Sequence, residues 1–180
     1  MSVIAIQGTK GSYSEEAVGV MFDDSAELLE CADFAETFAA VVSGKADRAV
    51  VPLRNKIIGD IESAVTALQQ TNLKILDQLM LEVRHVLAGT PDAEFADIES
   101  VRSHEEALRQ CSKFIADNKF QAVTGADTAS SVRRIVAEGD KKTAAIGSRR
   151  ACEMYGGKIL RENIADDAEN ITYFYLVGRH

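Results

Sequence analysis

Four segments hold the residue types from which a binding or catalytic site is made. They are Gly8-Thr-Lys-Gly-Ser-Tyr-Ser14, Val51-Pro-Leu-Arg-Asn-Lys56, Ser103-His104 with Gln110 and Cys111 further on, and Ile171-Thr-Tyr-Phe-Tyr-Leu-Val-Gly-Arg-His180. The last opens with a hydroxyl pair, Thr172 and Tyr173. The chemistry such loops support is the holding of an anion. Helix N-termini present free backbone N–H groups and a partial positive charge, which suit carboxylates and phosphates. In open α/β sheets ligands gather beyond the carboxyl ends of strands, where Gly8–Ser14, Arg54-Asn55-Lys56, Ser103-His104 and Ala126-Asp-Thr128 all fall. Taken singly, each residue has a plain structural reading. Gly8 and Gly11 serve turns, Arg54 and Lys56 a solvated loop, His104 a helix cap, Cys111 a core space, and Thr172 a strand. There is no Ser-His-Asp arrangement, His-Glu-x-x-His or P-loop, and Gly8-x-x-Gly11 lacks the next glycine of a dinucleotide fingerprint.

The elements that position these segments alternate. Val3–Ile6 reads as a buried parallel strand. Ser12 or Ser14 caps the following helix, with Glu15 and Glu16 in its favourable first turn. Asp33-Phe-Ala-Glu36 resembles a capping box for a helix that buries Phe34, Phe38, Val41 and Val42 and stops at Gly44. Arg48–Leu53 is a strand, and Asp60 caps a helix over Ile61–Gln70. Leu73–Gly89 is one long extended apolar stretch. Alternation then resumes: a strand over Ile98–Val101, a helix over Glu105–Asp117, a strand over Phe120–Val123, a helix over Thr128–Glu138 ended by Gly139, and a strand over Thr143–Ile146. A helix capped by Ser148 stops at Gly156-Gly157, and Lys158–Ile164 leads to the closing strand. The pattern predicts an α/β fold of two lobes, each a mainly parallel sheet flanked by helices, with a cleft between them. Residues 1–78 with 160–180 form the first lobe and 79–159 the second.

Of the 180 residues, 46% are hydrophobic and 27% charged, the mix of a globular protein with a real core. A net charge of -8 argues against nucleic acid or an anionic membrane as partner. It also means that an anionic substrate needs locally placed cations. No secretory signal is visible at Met1–Ile6, and no apolar run is long enough to span a bilayer. Cys31, Cys111 and Cys152 are odd in number and widely spaced, which suits reduced thiols in a cytoplasm and neither a disulfide frame nor a zinc site. A cytoplasmic protein without metal or cofactor is the expectation.

In order and spacing the four segments resemble the catalytic domain of the prephenate dehydratase family. That family carries Gly-Pro-Glu-Gly-Thr-Phe-Ser, Val-Pro-Ile-Glu-Asn-Ser, and Ser-His followed by Ala-x-x-Gln-Cys. It also carries Ala-Ala-Ile-Gly-Ser, found unchanged here at Ala144–Ser148. The resemblance runs from Ile4 to Arg179. It implies a periplasmic-binding-protein-like pair of lobes and an enzyme that converts prephenate to phenylpyruvate with loss of water and carbon dioxide. It also implies a homodimer or homotetramer, with no ACT regulatory domain expected after His180. Thr172 matches the family's essential Thr, which hydrogen-bonds the departing ring hydroxyl. Asn55, Ser103 and Gln110 match polar residues that orient the substrate, Phe174 matches the third residue of the family's Thr-Arg-Phe, and Ser12 lies in the first loop. Three positions depart from the pattern: Arg54 stands for Glu, Lys56 for Ser, and Tyr173 for the motif Arg. Because prephenate is a dianion, Arg54 and Lys56 are expected to supply the charge that Tyr173 cannot. Two further readings stay open, a non-aromatising prephenate decarboxylase and a non-catalytic small-carboxylate-binding protein.

Overall fold

The computed structural model describes residues 1–23 and 25–180. The chain forms two compact units, Met1–Val83 with Glu169–His180, and Arg84–Ala168. These borders fall further along the chain than 78/79 and 159/160, because β5 (Lys74–Glu82) stays in the first sheet and β10 (Lys158–Arg161) belongs to the second.

In the first unit β1 (Val3–Gln7) leads to α1 (Tyr13–Phe22), then β2 (Glu27–Cys31), α2 (Phe34–Val42), β3 (Arg48–Asn55), the short β4 (Gly59–Asp60), α3 (Glu62–Gln69), β5 and finally β11 (Ile171–Gly178). The strand order is β2-β1-β3-β11-β5, with β4 added beside β3. Parallel ladders join β1 to β2 and β1 to β3, while β11 runs antiparallel to both β3 and β5. The sheet is therefore mixed. Period-two alternation splits its side chains between two cores. Ala5, Ala49, Val51, Leu53 and Val177 pack with Phe38 and Val41 of α2 and Ala64 of α3. On the other face Ile4, Ile6, Val50, Phe174 and Leu176 meet Ala17 and Val18 of α1. β2 was not legible in the sequence because Glu27 and Glu30 break its apolar pattern at the sheet's edge.

The caps follow local chemistry. The Ser12 hydroxyl accepts from the Glu15 amide at 3.3 Å. Asp33 accepts from Glu36 N at 2.8 Å while the Glu36 carboxylate accepts from Ala32 N at 2.7 Å, a reciprocal cap. Asp60, expected to cap α3, instead pairs with Arg54 across β3–β4, and α3 begins after Ile61 without a side-chain cap.

The second unit contains β6 (Val86–Gly89), β7 (Ser100–Ser103), α4 (Glu105–Gln110), α5 (Ser112–Asp117), β8 (Gln121–Thr124), α6 (Thr128–Glu138), β9 (Thr143–Gly147), α7 (Arg149–Tyr155) and β10. Its order is β10-β6-β9-β7-β8, parallel at β7–β8 and β7–β9 and antiparallel at β6. The helix read over 105–117 is two helices, because Cys111 leaves helical geometry at φ -114 and ψ 18. The single extended stretch 73–89 is two strands in two different sheets. Gly147 in the Ala144–Ser148 segment has a packing reason: a Cβ there would lie 2.7 Å from Val132 Cγ2 and 3.3 Å from the Thr128 carbonyl, so its absence lets α6 lie close on β9.

Candidate active site

β3 and β11 carry the site in the first unit. Their antiparallel ladder pairs Thr172 with Asn55 and Tyr173 with Arg54, then skips to Phe174 with Pro52, leaving Leu53 as an extra residue in β3. A bulge of this kind re-aims the side chains that follow it. Without it Asn55 would share a face with Leu53 and Val51, over α2 and α3. With it, Asn55 turns to the face of Thr172 and Phe174, where α1 packs.

Asn55 is 3% exposed and uses its whole amide. Nδ2 donates to Asn170 Oδ1 at 2.8 Å and to Thr172 Oγ1 at 2.9 Å. Oδ1 accepts from the Ile57 amide at 2.8 Å and the Ile58 amide at 3.3 Å. Because backbone N–H groups can only donate, Oδ1 must be the oxygen, and Nδ2 must be what faces Thr172. A hydroxyl that accepts from Asn55 keeps its own proton for another acceptor. Among the described residues no acceptor is found for Thr172, itself buried at 7% exposure. The rung therefore leaves the Thr172 hydroxyl proton available as a hydrogen-bond donor. Asn170, also buried, was missed in the sequence. Its signal is period two: it lies two residues before Thr172 and so falls on the same side of the strand.

The two substituted positions are cross-strand partners. Arg54 lies beside Tyr173 on the ladder, on the side away from Thr172. Its side chain is 63% exposed and reaches Asp60 at 4.0 Å. On this alternation Arg54 does not share the Thr172 face. Tyr173 is half-buried on that same side and does not share the Thr172 face. Phe174, expected to touch substrate, is 2% exposed and belongs to the α1 core. Lys56 forms an ion pair with Glu169, and its backbone amide donates to the Ile171 carbonyl at 2.8 Å. Ser12 caps α1, the helix on the Thr172 side of the sheet.

In the second unit Ser103 is fully buried at the end of β7, and its hydroxyl donates to the Ile146 carbonyl at 2.7 Å, tying β7 to β9. That proton is spent, so Ser103 retains only acceptor capacity. Gln110 Oε1 lies 2.7 Å from Nε2 of His85, which is 2% exposed. With the amide oxygen as acceptor, the imidazole carries its proton on Nε2. Burial pushes the His85 pKa below its ordinary value, partly opposed by this hydrogen bond, so the ring is neutral near pH 7. His85 was also missed; its signal is a titratable residue inside an apolar stretch. His104 caps α4, accepting from the Glu106 amide at 3.1 Å. Cys111 is fully buried and its thiol is pushed up to about 12 by desolvation, which makes it inert.

Among the described residues no three His, Cys, Asp or Glu side chains converge into a set that could hold a metal ion. A cavity of about 550 Å³ lies over α2 and α3, lined by Phe38, Val42, Ala67, Leu73 and Arg179, and none of the candidate residues borders it. The polar rung thus stands apart from this hollow.

Residues 4–180 match the family described as prephenate dehydratase. The arogenate dehydratase/prephenate dehydratase 1 of Arabidopsis thaliana chloroplasts is 36% identical over 176 residues, covering 98% of this chain and 45% of that protein. The chain therefore spans about half the length of the curated relatives it matches. A prephenate dehydratase from Arthrobacter aurescens in complex with L-Phe superposes with a TM-score of 0.89 at 26% identity, over 99% of this chain and 60% of that one. GqqA, described as a novel type of quorum quenching acylase, gives 0.86 at 31% identity, over 99% and 64%. The methionine-binding protein MetQ, at 10% identity and a TM-score of 0.58 over 99% and 83%, shares the fold alone, which is periplasmic-binding-protein-like. With its Asn55–Thr172 rung set on that fold, the chain belongs to the prephenate dehydratase family.

Proposed function

We propose that this chain is the catalytic part of a lyase that converts prephenate, or an arogenate-like cyclohexadienyl acid, to the aromatic product with loss of water and carbon dioxide. The observation that carries the reading is the Asn55–Thr172 hydrogen bond, which commits the Thr172 oxygen as acceptor and leaves its proton for a ligand oxygen. In the reaction the C–C bond to the ring carboxylate breaks, its electron pair completes the aromatic ring, and the allylic C–O bond breaks with hydroxide departing. Thr172 donates a hydrogen bond to that departing oxygen, where negative charge develops in the transition state. One proton is consumed for each prephenate dianion, turning the departing hydroxide into water, and it is drawn ultimately from solvent.

The carboxylate partner on this reading is Lys56. Exchanging Glu169 for a substrate carboxylate costs little, since exposed ion pairs contribute about 0–1 kcal/mol. Gln110 orients substrate, and Ser103 acts through Ile146 as a positioning residue. The three free, buried cysteines support a reducing compartment such as the cytoplasm, and the active form is taken as a homodimer or homotetramer, as the family resemblance implies.

The test is an NMR time course with prephenate at neutral pH, against a no-enzyme control because acid aromatises prephenate. Phenylpyruvate above control is the expected result. Thr172→Ser should keep turnover, and Thr172→Val should lower it about 10²–10³-fold, as for loss of one transition-state donor. A product retaining ring alkene protons would refute the dehydratase reading in favour of a decarboxylase. Bound but unchanged prephenate would favour a carboxylate-binding protein.

A further inference from the structure

His85 is a buried titratable side chain to which the proposed chemistry gives no task. It stands just before β6, where Val86, Leu87 and Ala88 are buried, and is itself 2% exposed. A polar ring in such a place needs a hydrogen-bonded partner. That partner is Gln110, the last residue of α4, whose Oε1 lies 2.7 Å from Nε2 of the ring. One connecting segment ties the two backbones as well. The Ile164 amide donates to the His85 carbonyl at 3.3 Å, and the Asp166 amide donates to the Gln110 carbonyl at 2.7 Å. The Asp166 carboxylate also accepts from Ser112 Oγ at 2.8 Å and from the Lys113 amide at 3.1 Å, which fixes the start of α5. α4 has only six residues and ends at the break at Cys111, so these contacts, more than the helix, set where Gln110 stands.

The side-chain contact sets which way the Gln110 amide faces. The ring, neutral near pH 7, has one N–H, and the contact places it on Nε2. The amide oxygen only accepts and the amide nitrogen only donates. With His85 donating into Oε1, the amide nitrogen is turned away from the ring, and what Gln110 offers a ligand is N–H. Such a donor matches a carboxylate or keto oxygen and cannot receive a hydroxyl proton. In the proposed reaction the departing hydroxyl belongs to Thr172. The ring carboxylate loses its charge as carbon dioxide leaves, so a donor held there would favour the ground state over the transition state. The side-chain carboxylate, common to prephenate-like and arogenate-like acids, keeps its charge throughout and has lone pairs for more than one donor.

We infer that His85 is a positioning residue: through its Nε2–H it holds the Gln110 amide with the N–H groups towards the side-chain carboxylate of the substrate. The inference rests on the lyase reading and adds to it which atom of Gln110 meets the substrate, and which group it meets. Because that charge is the same in the ground state and the transition state, the contact is uniform binding and acts on KM more than on kcat.

The test is steady-state kinetics with prephenate on the wild type and its variants, beside a 15N–1H spectrum of the wild-type imidazoles. His85→Leu should raise KM about tenfold with kcat nearly unchanged, since a hydrogen bond to a charged group is at stake. His85→Gln, whose terminal N–H can replace Nε2–H, should keep KM near the wild-type value. A merely structural His85 would lower the melting temperature in both variants without moving KM. Gln110→Leu should raise KM about as far as His85→Leu, and combining the two should raise it no further, because the pair acts as one unit. Gln110→Glu keeps an acceptor for His85 but sets a carboxylate oxygen against that of the substrate, and should raise KM most. The spectrum should show the His85 proton on Nε2. The inference is overturned if His85→Leu leaves KM unchanged, or if its effect multiplies with that of Gln110→Leu. It is equally overturned if Gln110→Glu keeps the wild-type KM, or if His85 carries its proton on Nδ1. A wild type that neither binds nor turns over prephenate sinks the lyase reading, and the inference with it, and that result is told apart because it precedes any substitution.

Discussion

Replacing Asn55 by Ala removes the amide that the β3 bulge aims at Thr172. Three of its four hydrogen bonds have good length, at 2.8, 2.8 and 2.9 Å, and the fourth, from Ile58, is long at 3.3 Å. At a net value of about 1 kcal/mol each, the three short ones contribute roughly 3 kcal/mol. Ile57 and Ile58 are 42% and 39% exposed, so water can replace the lost acceptor at their amides. Asn170 and Thr172 are buried and lack that relief. The expected loss is therefore about 2–3 kcal/mol, read from urea melts followed by circular dichroism. Turnover should fall as well, because the freed Thr172 oxygen no longer fixes where its proton points. Asn55→Asp sharpens the argument. A carboxylate there has no N–H for the Asn170 oxygen and accepts the Thr172 hydroxyl proton, so that proton is no longer offered to a ligand and turnover should fall at least as far as in Asn55→Ala. The reasoning is refuted if Asn55→Ala costs under about 0.5 kcal/mol, the size of an ordinary surface substitution, with turnover intact.

Further outcomes follow from other parts of the chain. His85 has a folded pKa below its ordinary 6.5, so the unfolded chain takes up this proton first. Its contribution to stability is whole above pH 6.5 and is lost as pH falls below that value. His85→Gln should accordingly flatten the decline in unfolding free energy between about pH 6.5 and 5 in pH-dependent urea melts. Burial raises all three thiols, Cys111 to about 12 and Cys152 to about 11, so a disulfide reagent at pH 8 should label none quickly in the folded protein and all three after denaturation. Tyr173→Arg alone sets like charges opposite each other with Arg54, and adding Arg54→Glu should recover about 0.2–1 kcal/mol in a double-mutant cycle of stability. Strict additivity would show that the two side chains do not meet.

The sequence by itself determined the local devices. Ser12, Asp33 and Ser148 cap helices with their own side-chain oxygens, and Gly139 and Gly156 end helices at φ 68 and φ 76, where a glycine has no Cβ to strain. These are contacts within a few residues, so chemistry and spacing suffice to read them. The alternation of apolar runs likewise carried the α/β class, and the four motif segments carried the family. Tertiary structure decided what depends on register between distant strands. The extra residue at Leu53 turns Asn55 towards Thr172, 117 positions away, and nothing near Leu53 in the sequence announces a bulge. The same ladder sets Arg54 beside Tyr173 and away from Thr172, a side that the residue types alone do not reveal. His85 meets Gln110 because a buried imidazole must find a polar partner, and the packing of the second unit selects which one. The residue types were legible in the sequence. Which face each occupies was not, because in a strand one added residue moves every following side chain to the other side.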